Sequence, residues 1–209
     1  AKKTPDAEAL RAALEVLTNG NAVLPPTAAK CAAPIDAEAV EATCGKLPAG
    51  KSPGPDRLPN KFYTVFAKPL APILTAVFND ARRTGALHPE ILTGNISVLY
   101  KKKDRDDPRN YRPVTLLNSD YKILMRILTA RMNEAVVQFV SSPQNGFVPD
   151  SFIAENLMLL KLVQAYVEDE DESAMFLFAD MEKAFDRASW EFMEHALDAL
   201  GLGDDPSAD

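Results

Sequence analysis

The residue best placed to do chemistry is Asp180, which ends the apolar run Ala174–Ala179 and is followed by Phe185-Asp186 in "FLFADMEKAFD". Read as a strand, the run puts Phe176, Phe178 and Asp180 on one face and Met175, Leu177 and Ala179 on the other. The carboxylate then emerges at the tip of a hydrophobic strand, where a cleft usually opens. It would serve there as a hard oxygen ligand, or it would merely cap a turn. The cation in question is constrained by what else the chain lacks. Cys31 and Cys44 have no partners at zinc spacing, and His88 and His195 stand alone. A metal would therefore fall to carboxylates, a donor set that suits magnesium. The two cysteines read as reduced and structural.

A second group is defined by charge. The sum is −7, which argues against a general nucleic-acid binder. Between Lys101 and Arg131, however, nine basic residues face four aspartates. Glu168–Glu172 is an unbroken acidic run that reads as a solvated loop before a strand. On its own the Lys101-Lys102-Lys103 run reads as a solvated turn.

These residues need elements to hold them. An apolar share of 46% supports a folded core. The sequence shows no signal-peptide pattern and no membrane-crossing run, so the expectation is a soluble intracellular protein, nuclear or cytoplasmic. Both ends look cut: the first residue is Ala1 and the last seven are the polar "GDDPSAD". Thr4 and Pro5 suit the start of a helix carrying Leu10, Leu14 and Leu17, stopped by Asn19-Gly20. Residues 21–34 read as a loop, and Asp36 caps a short helix ending at Gly45. The Gly/Pro-rich segment 48–59 reads as a turn-rich loop. Residues 60–83 form a helical stripe interrupted at Pro69 and closed by Gly85. Ile96–Tyr100 alternates as a strand, and residues 109–118 are extended because Pro113 excludes helical geometry at Arg112. A long helix capped by Asn118 or Ser119, a loop around residues 141–151 and a helix over 153–167 follow. After the strand 174–179, Ser189 caps a helix closed by Gly201, with Trp190 packing it against the sheet. No internal repeat is present. Helices with a few distant strands give an α+β class.

Four blocks stand in order along the chain: "KSPGPDRLPNKFY", "ISVLYKKKDRDDPRNYRPVTLLNSDYKIL", "SPQNGFVP" and "FLFADMEKAFDRASWEF". Together they resemble the reverse transcriptases of non-LTR (LINE-type) retrotransposons, over about Lys51 to Gly203. The resemblance implies the helix-rich fingers plus a partial palm of a right-hand polymerase, truncated. It divides the chain into an N-terminal helical extension (1–50), a fingers-like region (51–173) and the start of the palm (174–209). The implied partners are an RNA template, a DNA primer and a deoxynucleoside triphosphate, with no membrane. The cofactor is a pair of magnesium ions, since two-metal phosphoryl transfer requires clustered carboxylate oxygens. Asp180 matches the first catalytic aspartate and Met181 contributes a backbone carbonyl to the metals. Lys101, Lys102 and Arg112 match the residues that hold the triphosphate. Phe185 matches the ring under the incoming sugar, where it would clash with a 2′-hydroxyl; an ordinary core phenylalanine is the alternative. Asp56 and the Gln144, Gly146, Phe147 group resemble template-side loops, and Tyr111 is either core or platform.

The chain also departs from the family pattern. The Asp-Asp hairpin of the palm and the thumb are missing; "FLFADM" has Met181 where the second aspartate of that signature would stand, and Asp204-Asp205 lies in a polar tail. Arg57 replaces a common glycine, and Asp150-Ser151 replaces Gly-Arg. A polymerase portion inactive alone is the leading expectation, and a non-catalytic RNA-binding remnant the alternative.

Overall fold

A computed structural model describes residues 7–18, 22–140, 144–181 and 184–203, apart from the side chains of 185 and 186. The expected cap at Thr4, the stop at Asn19-Gly20 and the tail with Asp204-Asp205 lie outside the described residues. Among the described residues the fold is helix-rich with one two-stranded antiparallel sheet, an α+β arrangement.

The chain divides into two compact units: residues 33–130 form one, and residues 1–32 with 131–209 the other. These limits differ from the expected boundaries after residues 50 and 173. The reason is packing. Helix α3 (Ala37–Gly45) buries Val40 and Cys44 in the same core as Tyr63, Phe78, Ile123 and Ile127, within the 33–130 unit.

Within the 33–130 unit, Asp36 caps α3 by accepting from the Ala39 amide at 2.7 Å. The stripe over 60–83 becomes α4 (Asn60–Val65) and α5 (Ala67–Thr84), joined at Phe66. The break stands three residues before Pro69, directly after Val65, for a physical reason. Proline has no N–H for the Val65 carbonyl, and its ring crowds that carbonyl. Pro69 itself rests in the first turn of α5, where proline is tolerated. Gly85 closes α5 at φ 69°, as expected. A one-turn helix α6 (Pro89–Leu92) leads into strand β1 (Gly94–Tyr100), which pairs antiparallel with β2 (Tyr111–Leu117). The long helix α7 (Ser119–Phe139) follows β2 after the single residue Asn118.

The other unit holds α1 (Ala7–Thr18), α2 (Pro25–Ala32), α8 (Ala154–Asp169), a turn of helix α9 (Ala184–Arg187) and α10 (Trp190–Ala199). The expected loop at 21–34 contains α2, because Pro25-Pro26 occupy the first helical positions, where their missing N–H groups cost nothing. Its start is tied by the Leu24 amide donating to Gln138 Oε1 at 2.8 Å. Val23, Ala135 and Leu200 form the small core here. Ser189 caps α10 by accepting from the Phe192 amide at 3.2 Å, and Gly201 follows at φ 81°.

Two expectations fail in this unit. Residues 174–179 form no strand, since no described segment pairs with them and a lone strand leaves its amides and carbonyls without a ladder. Leu177 is 89% and Phe178 79% exposed, so the run is not buried either. The acidic run closes α8 and continues as an exposed turn, with no strand after it. Trp190 is 73% exposed and does not pack α10 on a sheet.

Candidate functional site

The charged end of the β1–β2 hairpin carries the expected residues Lys101, Lys102 and Arg112. Register decides which side chains share a face. Leu99 pairs with Arg112 and Tyr100 with Tyr111. The ladder continues one step further, the Lys101 amide donating to the Asn110 carbonyl at 2.9 Å. Alternation therefore puts Lys101 on the face of Leu99 and Arg112, and both tyrosines on the opposite face. Lys101 and Arg112 are diagonal neighbours, about 7–8 Å apart in such a pairing. Both are exposed, as is Lys102. Two cations on one solvated face can bracket a polyphosphate, with guanidinium giving a planar fork and ammonium a point charge.

The loop between the strands is exposed over residues 101–106, as a solvated turn is, and is also held by hydrogen bonds. The Tyr100 and Tyr111 hydroxyls donate to the Lys103 and Arg105 carbonyls. Asn110 Nδ2 donates to the Asp104 carbonyl at 2.8 Å, and Asp107 accepts from both the backbone and guanidinium of Arg109. That pairing holds the Asp107 carboxyl below the usual carboxylate range. Arg105 lies 4.8 Å over the Tyr100 ring, so Tyr100 and Tyr111 serve as supports of this loop.

Asp56 occupies a second exposed loop of the same unit. Its Oδ1 accepts from the Leu58 amide at 3.0 Å, and the Arg57 amide donates to the Gly54 carbonyl at 3.1 Å. Arg57 sits at φ 59°, in the left-handed region. Behind the loop, burial pushes the Asp120 carboxyl up, with the Asp56 charge adding to it. Burial likewise raises the Tyr63 phenol, reinforced by Asp120 and Asp56.

In the other unit, Asp180 is exposed and carried by a segment without secondary structure; Met181 is 71% exposed. Phe185 belongs to α9, and its side chain lies outside the described residues. Gln144 donates to the Gly146 carbonyl at 3.1 Å, and Phe147 is 96% exposed at φ 64°. Asn145 secures this loop, donating to Asn156 Oδ1 at 3.0 Å. Asp150 adopts φ 58°.

Magnesium takes six oxygen ligands. Among the described residues no group of three His, Cys, Asp or Glu side chains converges on one point. Asp180 alone does not make a metal centre, so the described residues do not fit the expected ion pair. No described helix is long and apolar enough to cross a membrane.

Two residues that sequence reasoning passed over hold these loops. Asn118, expected only as a possible helix cap, and Asn145 are both buried polar side chains with bonded amides. An asparagine set between an apolar strand and an apolar helix is the signal that marks Asn118.

Residues 100–205 match the family described as reverse transcriptase (RNA-dependent DNA polymerase). The chain is 31% identical over 81% of its length to the transposon TX1 uncharacterized 149 kDa protein of Xenopus laevis. It is 30% identical over 74% to the probable RNA-directed DNA polymerase from transposon BS of Drosophila melanogaster. To the RNA-directed DNA polymerase from mobile element jockey of Drosophila funebris it is 28% identical over 88%. It spans 13%, 17% and 20% of the length of these three relatives. Divalent metals are general to reverse transcriptases. The chain belongs to the reverse transcriptase (RNA-dependent DNA polymerase) family, in the branch carried by non-LTR retrotransposons.

Proposed function

We propose that the chain supplies the fingers, residues 51–173, and the start of the palm, residues 174–209, to a longer polymerase that copies RNA into DNA. The observation that carries this reading is the hairpin that sets Lys101 and Arg112 on one solvated face, within the segment matching the family. Those two residues, with Lys102, hold the triphosphate of an incoming deoxynucleotide. Asp180 and the Met181 carbonyl would supply only part of a magnesium ligand set, and the chemistry such ions would contribute is activation of a hydroxyl and neutralisation of a leaving pyrophosphate. The further carboxylates belong to the longer protein. Phe185 screens the sugar. Asp56, Gln144, Gly146 and Phe147 lie along the RNA template.

The test is primer extension by the longer protein on an RNA template. Asp180→Ala abolishes extension while leaving RNA binding intact; continued extension would remove Asp180 from the reaction. A second reading, a remnant that binds RNA without catalysis, is favoured by the absence, among the described residues, of any three-membered cluster of metal-ligating side chains. Under either reading the chain binds RNA with affinity that falls steeply with salt. Absence of binding at low salt would overturn both.

A further inference from the structure

The Gly54–Arg57 loop is exposed at Asp56 and Arg57, yet it is fastened from beneath by one buried residue. Asn118 is 5% exposed and uses both ends of its side chain. Oδ1 accepts from the Asp56 amide at 3.2 Å, and Nδ2 donates to the Glu90 carbonyl of α6 at 3.0 Å. Fit is as tight as the bonding. A Cβ on Gly54 would lie 2.2 Å from Asn118 Oδ1 and 2.6 Å from the Leu117 carbonyl carbon. The loop backbone therefore rests directly on the junction of β2 and α7, and only glycine permits the approach. One residue further on, Ser119 Oγ donates to Asn60 Oδ1 at 2.8 Å, and Asn60 Nδ2 donates to the Pro48 carbonyl at 2.9 Å. The segment from 48 to 60 is thus pinned at both ends and in the middle.

Asn118 lies one residue beyond β2, the strand that carries Arg112. We infer that Asn118 is a positioning residue: it locks the Asp56 loop to the phosphate-facing hairpin, so that both present one preorganised surface to nucleic acid. The nucleic-acid part rests on the function proposed above; the lock itself does not. Preorganisation matters because a loop ordered only on binding charges its lost freedom against affinity. An uncharged latch should therefore change affinity without changing the number of phosphate contacts.

The experiment uses the whole chain with Asn118→Ala, Gly54→Ala and the double variant. Hydrogen exchange at the Asp56 amide reads the latch, with the Phe78 amide as the core reference. The expected result for Asn118→Ala is exchange about five- to tenfold faster at Asp56, the scale of one hydrogen bond, with Phe78 unmoved. Binding of a single-stranded RNA oligonucleotide should weaken by a similar factor with an unchanged salt slope. Gly54→Ala, which works from the loop side and spares the core, should do the same, and the double variant should be no worse than the stronger single one. Unchanged Asp56 exchange in both single variants would overturn the latch. Faster exchange with undiminished RNA affinity would overturn its role in binding. If the unaltered chain binds no RNA, the proposed function fails, and exchange alone decides whether the latch exists.

Discussion

Tyr100 and Tyr111 meet across the end of the hairpin with ring centroids 5.7 Å apart and planes at 65°, and both hydroxyls reach back to the loop that the strands enclose. The rings anchor one face while Lys101 and Arg112 occupy the other. Tyr111→Phe keeps the ring contact and removes the bond to the Arg105 carbonyl, worth about 1 kcal/mol. Limited trypsin digestion should then cut within residues 101–109 several-fold faster, roughly in step with that energy, while the urea midpoint of the whole chain barely moves. Equal cutting rates would show that the hydroxyl does not order the loop.

Arg57 and Asp150, the two positions where the resemblance leads to an expected glycine, stand at φ 59° and 58°. A side chain at such a position costs about 1–2 kcal/mol, less for aspartate, which tolerates the left-handed region. Arg57→Gly should raise stability by about 1 kcal/mol, and Asp150→Gly by less. Arg57→Ala gives no gain because it keeps the Cβ. Urea unfolding measures all three; a stabilising Arg57→Ala would refute the backbone argument.

Asp120 offers a pH test. Burial raises its folded-state pKa above the ordinary value of 3.8, with the Asp56 charge assisting. A raised carboxyl favours the folded state only while it is protonated. That contribution is complete below the unfolded pKa and is lost as pH climbs through the folded one. Asp120→Asn should therefore stabilise the chain at neutral pH, with the advantage shrinking as pH falls toward 3.8. An advantage that grows toward acid pH would contradict the sign.

Core and exposed aromatics should differ sharply. Phe78 is 1% exposed and Phe178 79%. Phe78→Ala should cost about 3–5 kcal/mol and Phe178→Ala almost nothing, read by thermal unfolding of the whole chain. Comparable losses would mean that residues 174–179 are packed in solution.

The local rules written in the sequence were legible where a short segment satisfies itself. The Asp36 and Ser189 caps, the Gly85 terminus and the alternation of β1 each depend on a few adjacent residues. The break at Phe66 was misplaced because proline acts on the carbonyl four residues earlier. The Ala174–Ala179 strand failed for a different reason: apolar alternation states what a segment could pair with, and pairing needs another segment. Of the candidate site, Lys101 and Arg112 were marked by the family resemblance alone; the residue pattern by itself reads the lysine run as a solvated turn. The asparagine supports beneath the loops were not legible, since their partners lie 28 and 62 residues away for Asn118.

The uncovered oily run at residues 174–179, beside a helix α8 with none of its residues buried, bears on handling. Concentrated alone, such a protein should self-associate through these surfaces, scatter light and stick to columns. Mild detergent or low concentration would keep it dispersed.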